Sequence, residues 1–328
     1  MLPRRLCCLL LALWCVSPAL TLAQGRRNRS GGAARSETAR NTRSEAARSE
    51  APGRTGTAQE NRPGAEAVMR AHAAAYPEAV GAVEYRNGDW AVLLRGRWFY
   101  HAGGRFLPEE HLAEAETWAR QSFYSYPAEL PPWKEPEGEQ AERLKNVLAN
   151  RRANPPKRDP EFYDTLWQAR SRKEAEANLA AINFLGKNLR IHKELAARLE
   201  KISALIMEEA GTDPEVQAFI DNIGSIGAWN WRVVAATVSR SYHSYAAALD
   251  ILPKNLRGLA SYWQWTADHN SDWYKVPYSG RWHPPLQVVR IFERYGFCWG
   301  GKWALFDTMH FEYRPEILIL SGMKVENP

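Results

Sequence analysis

Gly296-Phe-Cys-Trp-Gly-Gly-Lys-Trp-Ala-Leu-Phe-Asp-Thr-Met-His-Phe-Glu312 is the stretch of this 328-residue chain where fold and chemistry can be read together. Aromatic residues crowd it, and Ala304–Tyr313 reads as strand, turn and strand. In Asp307-Thr-Met-His310 one turn can bring a carboxylate and an imidazole to the same side. Working upstream, Leu286–Tyr295 reads as a helix, Ala246–Ile251 as a strand and Trp231–Val238 as another. The region from 221 to 328 is therefore expected to be α+β, a small antiparallel sheet with covering helices.

A second chemically loaded cluster lies in this region: Ser239-Arg-Ser-Tyr-His243, followed by Asp250. His243, Asp250 and His310 together offer two imidazoles and a carboxylate. A catalytic zinc takes three protein ligands and keeps one position for water, whose pKa it lowers to roughly 7. A base must then accept that water's proton, and Asp307 is placed for it. The small run Ala246-Ala-Ala248 lets backbone pass close to such a site. Glu312 has two possible roles, orienting a ligand imidazole or pairing with Arg314 at the surface. The constellation predicts a zinc hydrolase with Zn2+ as its cofactor.

These motifs resemble those of the zinc peptidases that trim bacterial peptidoglycan peptides. That family comprises D-alanyl-D-alanine carboxypeptidases and L-alanyl-D-glutamate endopeptidases and is also called LAS or VanY-like. Its pattern Ser-x-His-x-x-Gly-x-Ala-x-Asp is met by Ser241, His243, Ala248 and Asp250, with Ala246 in place of the Gly. Its later pattern is met by Gly296, Phe297, Trp299, Gly300, Gly301, Trp303, Asp307, His310, Phe311 and Glu312, closer to the endopeptidase branch. The resemblance spans roughly Ile223–Gly322. It implies a Hedgehog/DD-peptidase-like catalytic domain, with His243, Asp250 and His310 on zinc and Asp307 as general base and later acid. It also implies an arginine that stabilises the developing oxyanion, for which Arg232 is the best match and Arg240 a weaker one. Such a contact is typically worth about 3 kcal/mol. The implied substrate is a peptidoglycan stem peptide. A catalytically inactive wall-binding module of the same fold is the alternative, and the intact Asp307 argues against it. Were the family Gly needed for positive φ, Ala246 would cost about 1 kcal/mol.

Other residues of this region have plainer readings. Eight of the fourteen Trp lie between Trp229 and Trp303, and most are expected in packing, with Trp299 or Trp303 the choices for substrate contact. Cys298, flanked by Phe297 and Trp299, reads as a small buried hydrophobe. His72, His101, His111, His192, His269 and His283 join no ligand-like group.

Further upstream the texture changes. The span 127–220 reads as a helical region. Its longest signal is 171–209, where Leu and Ile recur at three- and four-residue spacing, Ser171 and Glu174 form a capping box, and Gly186 is a possible break. Residues 68–126 read as a small β-meander with flanking helices, its turns marked by Asn87-Gly88, Arg95-Gly96 and Gly103-Gly104.

Residues 24–67 hold almost no large apolar side chain and are expected to be a disordered linker. Residues 1–23 read as a signal peptide: Arg4-Arg5, an apolar run too short to span a bilayer, and Thr21-Leu-Ala23 before the cut. Export to the periplasm, extracellular space or cell wall follows, with no stable membrane span after signal removal. Only Cys298 remains in the mature chain, so no internal disulfide can form. The formal net charge of +6 does not imply a nucleic-acid partner: the signal contributes +2 and residues 24–67 contribute +4, leaving the remainder neutral.

Overall fold

A computed structural model of the protein describes residues 63–121, 125–234 and 237–328. The residues read as a signal peptide, and those read as a linker as far as 62, lie outside the described residues; residues 65–67, expected in the linker, instead open the first helix. Helix α1 (Ala65–Ala75) leads into the meander β1 (Val80–Arg86), β2 (Asp89–Leu94), β3 (Arg97–Tyr100) and β4 (Leu107–Pro108), an antiparallel sheet in sequence order. Residues 109–117 form a 3-10 stretch where a flanking helix over 109–122 is expected from the sequence. After the proline-rich connector come α2 (Gly138–Lys145), α3 (Val147–Ala153), α4 (Glu161–Leu166) and α5 (Arg172–Ala177).

The stretch 171–209 departs from its predicted helix. It holds α5, then the hairpin β5 (Leu179–Phe184) and β6 (Lys187–His192), then α6 (Ala196–Ala210). The turn is Leu185-Gly186, both at positive φ (47° and 76°), the twist that suits a two-residue hairpin. Buried Ile182 and Phe184 on β5 and Leu189 and Ile191 on β6 recur at every second residue, a period of two concealed inside a longer three-to-four spacing. Ser171 does cap α5, its hydroxyl accepting from the Glu174 N–H, so the start signal was sound and only the extent was wrong.

Helix α7 (Pro214–Asp221) follows, and then the sheet that organises the C-terminal region. Its strands are β7 (Ile223–Gly227), β8 (Ala248–Pro253), β9 (Phe297–Trp299) and β10 (His310–Tyr313), ordered β7-β8-β10-β9 and antiparallel throughout. Helices α8 (Trp263–Ala267), α9 (Leu286–Arg294) and α10 (Pro315–Leu320) complete it. The class is thus α+β with small antiparallel sheets and several helices, as expected. The predicted strand over 231–238 is not formed: its described residues carry one isolated bridge, Val233 to Arg240, and the edge strand lies upstream at β7. Gly224 and Gly227 made β7 hard to see, since glycine is depleted in strands.

One hydrophobic cluster runs from Val68 and Met69 on α1 through Phe99, Phe162 and Trp167 to Leu249, Phe292, Phe297 and Phe311. Phe292 and Phe311 stack with centroids 4.0 Å apart, locking α9 onto β10. Cys298 is buried, as read. No described helix is long and apolar enough to cross a membrane.

Candidate metal centre and active site

Strand register brings the chemistry together. His310 opens β10 and pairs directly with Asp250 on β8, whose other neighbour is Gly227 on β7. Side chains opposite one another on one face of a sheet lie about 5 Å apart, so this register sets the imidazole beside the carboxylate. Gly227 has no side chain, and a Cβ there would meet open space, so the Asp250 carboxylate has room on that side.

His243 arrives on the 3-10 turn Tyr242–Tyr245, capped by the Ser241 hydroxyl, which accepts from the His243 N–H. The chain then enters β8 through Ala246, in left-handed conformation at φ 52° and ψ 34°. The family glycine position thus does require positive φ, and this protein meets it with alanine. Ala246 is fully buried and its carbonyl accepts from the His192 N–H at 2.9 Å, so the surrounding structure holds the strained conformer.

His243, Asp250 and His310 each offer a ligand atom within 4.8 Å of the others. His243 Nε2 is 3.2 Å from Asp250 Oδ2 and 3.3 Å from His310 Nδ1, and His310 Nδ1 is 2.9 Å from Asp250 Oδ1. The far nitrogen of each ring has its own acceptor. His243 Nδ1 lies 2.5 Å from the Ala228 carbonyl, and His310 Nε2 lies 3.3 Å from Glu312 Oε2. With a proton spent on each outer contact, two nitrogen lone pairs and a carboxylate converge on one point. Such an arrangement is repulsive unless a cation occupies it, and neutral imidazoles with one carboxylate are a donor set suited to zinc. In the metal-free chain a proton takes part of that role. Burial disfavours charge on His310, yet hydrogen bonds to Asp250 and Glu312 outweigh it and raise the imidazole well above its usual value. Burial likewise acts to raise the Asp250 carboxyl, but the bonds from His243 and His310 hold it far below the usual range.

Asp307 sits on the turn that precedes β10. Gly300 and Gly301 make this turn possible. A Cβ on Gly300 would lie 2.4 Å from the Asp307 carbonyl, and one on Gly301 would lie 2.0 Å from the Trp299 ring. Instead the Gly300 carbonyl accepts from the Asp307 N–H at 3.0 Å, and the Trp299 indole N–H donates to the Thr308 carbonyl at 2.8 Å. Burial raises the Asp307 carboxyl to about 7, with nearby Asp250 adding to the shift and His310 and Arg232 opposing it. Its Oδ1 is enclosed and has no hydrogen-bond partner among the described residues, so this oxygen is available to a water or substrate group.

Arg232 is exposed and rooted in the His243 turn. Its N–H donates to Ser244 Oγ at 2.8 Å, and its carbonyl accepts from that hydroxyl at 2.6 Å. Its guanidinium is near enough to Asp307 and Tyr262 to favour their ionised forms. Arg240, the weaker choice, is engaged elsewhere: it pairs with Asp164 at 2.5 Å and lies over Trp231. Trp299 is buried beneath the Asp307 turn and is a packing residue. Trp303 is half-buried, its ring 5.6 Å from that of His310.

With this geometry in view, residues 235–313 match the family model described as D-alanyl-D-alanine carboxypeptidase. The C-terminal region is VanY-like. The match supports a peptidase of the D-alanyl-D-alanine carboxypeptidase kind, with peptidoglycan as the substrate class and export as its setting. A second model, a domain of unknown function, matches residues 68–123. No curated protein and no solved structure matches the chain.

The VanY-like region also depends on groups the sequence did not reveal. The Ala228 carbonyl that orients His243 carries no side-chain signature. Glu312 takes both roles weighed for it, with Oε2 toward His310 and Oε1 3.4 Å from Arg314, and the pair is buried rather than at the surface.

Proposed function

We propose that the protein is an exported zinc metallopeptidase that hydrolyses an amide bond in peptidoglycan stem peptides. The observation that carries this reading is the convergence of His243, Asp250 and His310 within 4.8 Å, with the enclosed carboxylate of Asp307 on the turn before His310. His243 through Nε2, His310 through Nδ1 and Asp250 would hold the ion. A bound zinc supplies an acidified water and a positive charge for the carbonyl oxygen. Asp307 accepts the proton from the attacking water and returns it to the leaving amine. A carboxyl raised toward 7 suits both duties, because a group that titrates near the working pH can take a proton and release it. Arg232 faces the negative charge that develops on the carbonyl oxygen. Glu312 and the Ala228 carbonyl hold the two imidazoles in the tautomers that turn their free nitrogens inward.

The test is direct. Mature protein incubated with defined muropeptides should release products whose masses locate one cleaved amide, and a chelator should abolish release until zinc is restored. Asp307→Asn should lower kcat by about 10²- to 10⁴-fold, the usual contribution of a positioned general base, with zinc content unchanged. Unaltered cleavage by that variant would remove Asp307 from the reaction. Zinc-replete wild-type protein that cleaves no muropeptide would instead favour a wall-binding module.

A further inference from the structure

A line of buried polar contacts leads away from His310 and ends in the N-terminal domain. Glu312, which faces His310 Nε2, is 3.4 Å from the guanidinium of Arg314 through its other oxygen. The Arg314 Nε donates to Glu316 Oε1 at 2.5 Å. The hydroxyl of Tyr76, the residue that closes α1, donates to Glu316 Oε2 at 2.7 Å. His310, Glu312, Arg314, Glu316 and Tyr76 are all at most 8% exposed. Arg314 is also enclosed by the rings of Tyr242 and Tyr163, 5.0 and 5.8 Å from its guanidinium carbon.

Each contact constrains the next. Tyr76 fixes the carboxylate plane of Glu316, and that plane fixes the fork of Arg314. The fork holds one oxygen of Glu312, which leaves the other for His310 Nε2. A proton shared on that side keeps the Nδ1 lone pair directed at Asp250 and His243. Tyr76 lies some 240 residues before Glu316 and belongs to the segment 68–123, the domain of unknown function.

We infer that the N-terminal domain is part of the metal centre's support, and that Tyr76 and Glu316 are positioning residues that set the orientation of His310 through Arg314 and Glu312. This rests on the metallopeptidase reading of the site and adds to it a role for the upstream domain. A buried ion-pair network could instead serve stability alone, so the decisive measurements are metal affinity and the state of His310.

Tyr76→Phe removes one hydroxyl and keeps the ring packed against Trp167 and Tyr313. Zinc affinity, measured by competition with a chromogenic chelator, should fall about three- to tenfold, less than the 10- to 100-fold typical when a ligand's direct partner is lost. In the zinc-loaded protein the ¹⁵N shift of His310 Nε2 should move as its N–H loses a fixed Glu312 acceptor, while the melting temperature of the metal-free protein changes by a few degrees at most. Glu316→Gln should act in the same direction and serves if Tyr76→Phe folds poorly. The loss caused by Tyr76→Phe should largely vanish in a Glu312→Gln background, since the two act in series. Unchanged zinc affinity and unchanged His310 shifts in Tyr76→Phe would overturn the inference and leave the metallopeptidase reading intact. Wild-type protein that binds no zinc would overturn both.

Discussion

At Ala246 two opposing local terms can be compared. A non-glycine residue in the left-handed region costs about 1–2 kcal/mol, whereas the buried methyl contributes about 0.8 kcal/mol. Ala246→Gly should therefore be neutral or stabilising by up to about 1 kcal/mol in denaturant titrations, with activity retained. A loss of more than 1 kcal/mol would mean that methyl packing dominates. The acid residues of the site make a second prediction at this scale. Zinc bound as proposed would have to displace the proton that Asp250 and Glu312 hold on His310, and that imidazole is raised well above its ordinary value. Zinc affinity should then increase with pH through neutrality, where an unperturbed histidine would already have levelled off near 6.5. In the proposed mechanism Asp307 adds an acid limb to kcat/KM: as the base it would work only when ionised, so the rate should fall as pH drops below its pKa. Burial sets that carboxyl at about 7, and a neighbouring cation favours the ionised form, so the limb in the zinc enzyme should lie below 7. The limb should be absent in Asp307→Asn.

Among the elements, the turn that carries Asp307 is the most tightly specified. Gly300 and Gly301 allow backbone and indole to approach within distances that a Cβ would occupy. The same turn is tied to α9 by the buried pair of Lys302 and Glu293 at 2.6 Å, with Tyr126 also bonded to Glu293. Gly300→Ala should cost about 1–3 kcal/mol, the usual range for overpacking, and should displace Asp307. Activity should fall more than zinc binding, because, of the proposed ligands, Asp250 and His243 lie off the displaced segment and only His310, whose N–H donates to the Asp307 carbonyl at 3.1 Å, adjoins it. Equal losses of activity and metal would show that turn and metal site move together. The hairpin β5–β6 carries the opposite lesson. Its sequence satisfied a helical spacing over 171–209, yet the Leu185-Gly186 turn and the pairing of Ile182 with Leu189 produced a sheet. Short apolar runs fit both periods, and the choice fell to packing against α6.

For the molecule as a whole, the continuous core argues that the meander and the VanY-like region stabilise each other. Val68, Met69 and Tyr76 share a cluster with Phe297, Phe311 and Tyr313, and α1 packs against α10. A truncated protein beginning at residue 127 would expose this face and leave Glu316 without the Tyr76 hydroxyl. It should be poorly soluble or lack a cooperative thermal transition by circular dichroism. A soluble truncation that melts cooperatively and binds zinc with wild-type affinity would contradict both the shared core and the relay.

Much of the chemistry was legible in the chain itself. The residue types at 243, 250, 307 and 310 suggested the proposed metal site and its base, because those are the donors a zinc hydrolase would need. The αL demand at position 246 was also foreseeable, since a family glycine at a turn into a strand signals positive φ. Tertiary structure alone decided the rest. Register across β8 and β10 set His310 beside Asp250, and Arg240 was taken by Asp164, leaving Arg232 as the candidate arginine whose charge reaches Asp307. Tyr76 was brought to Glu316 from the other end of the chain. Such contacts depend on which buried charges must find partners once water is excluded, and no local spacing encodes a partner hundreds of residues away.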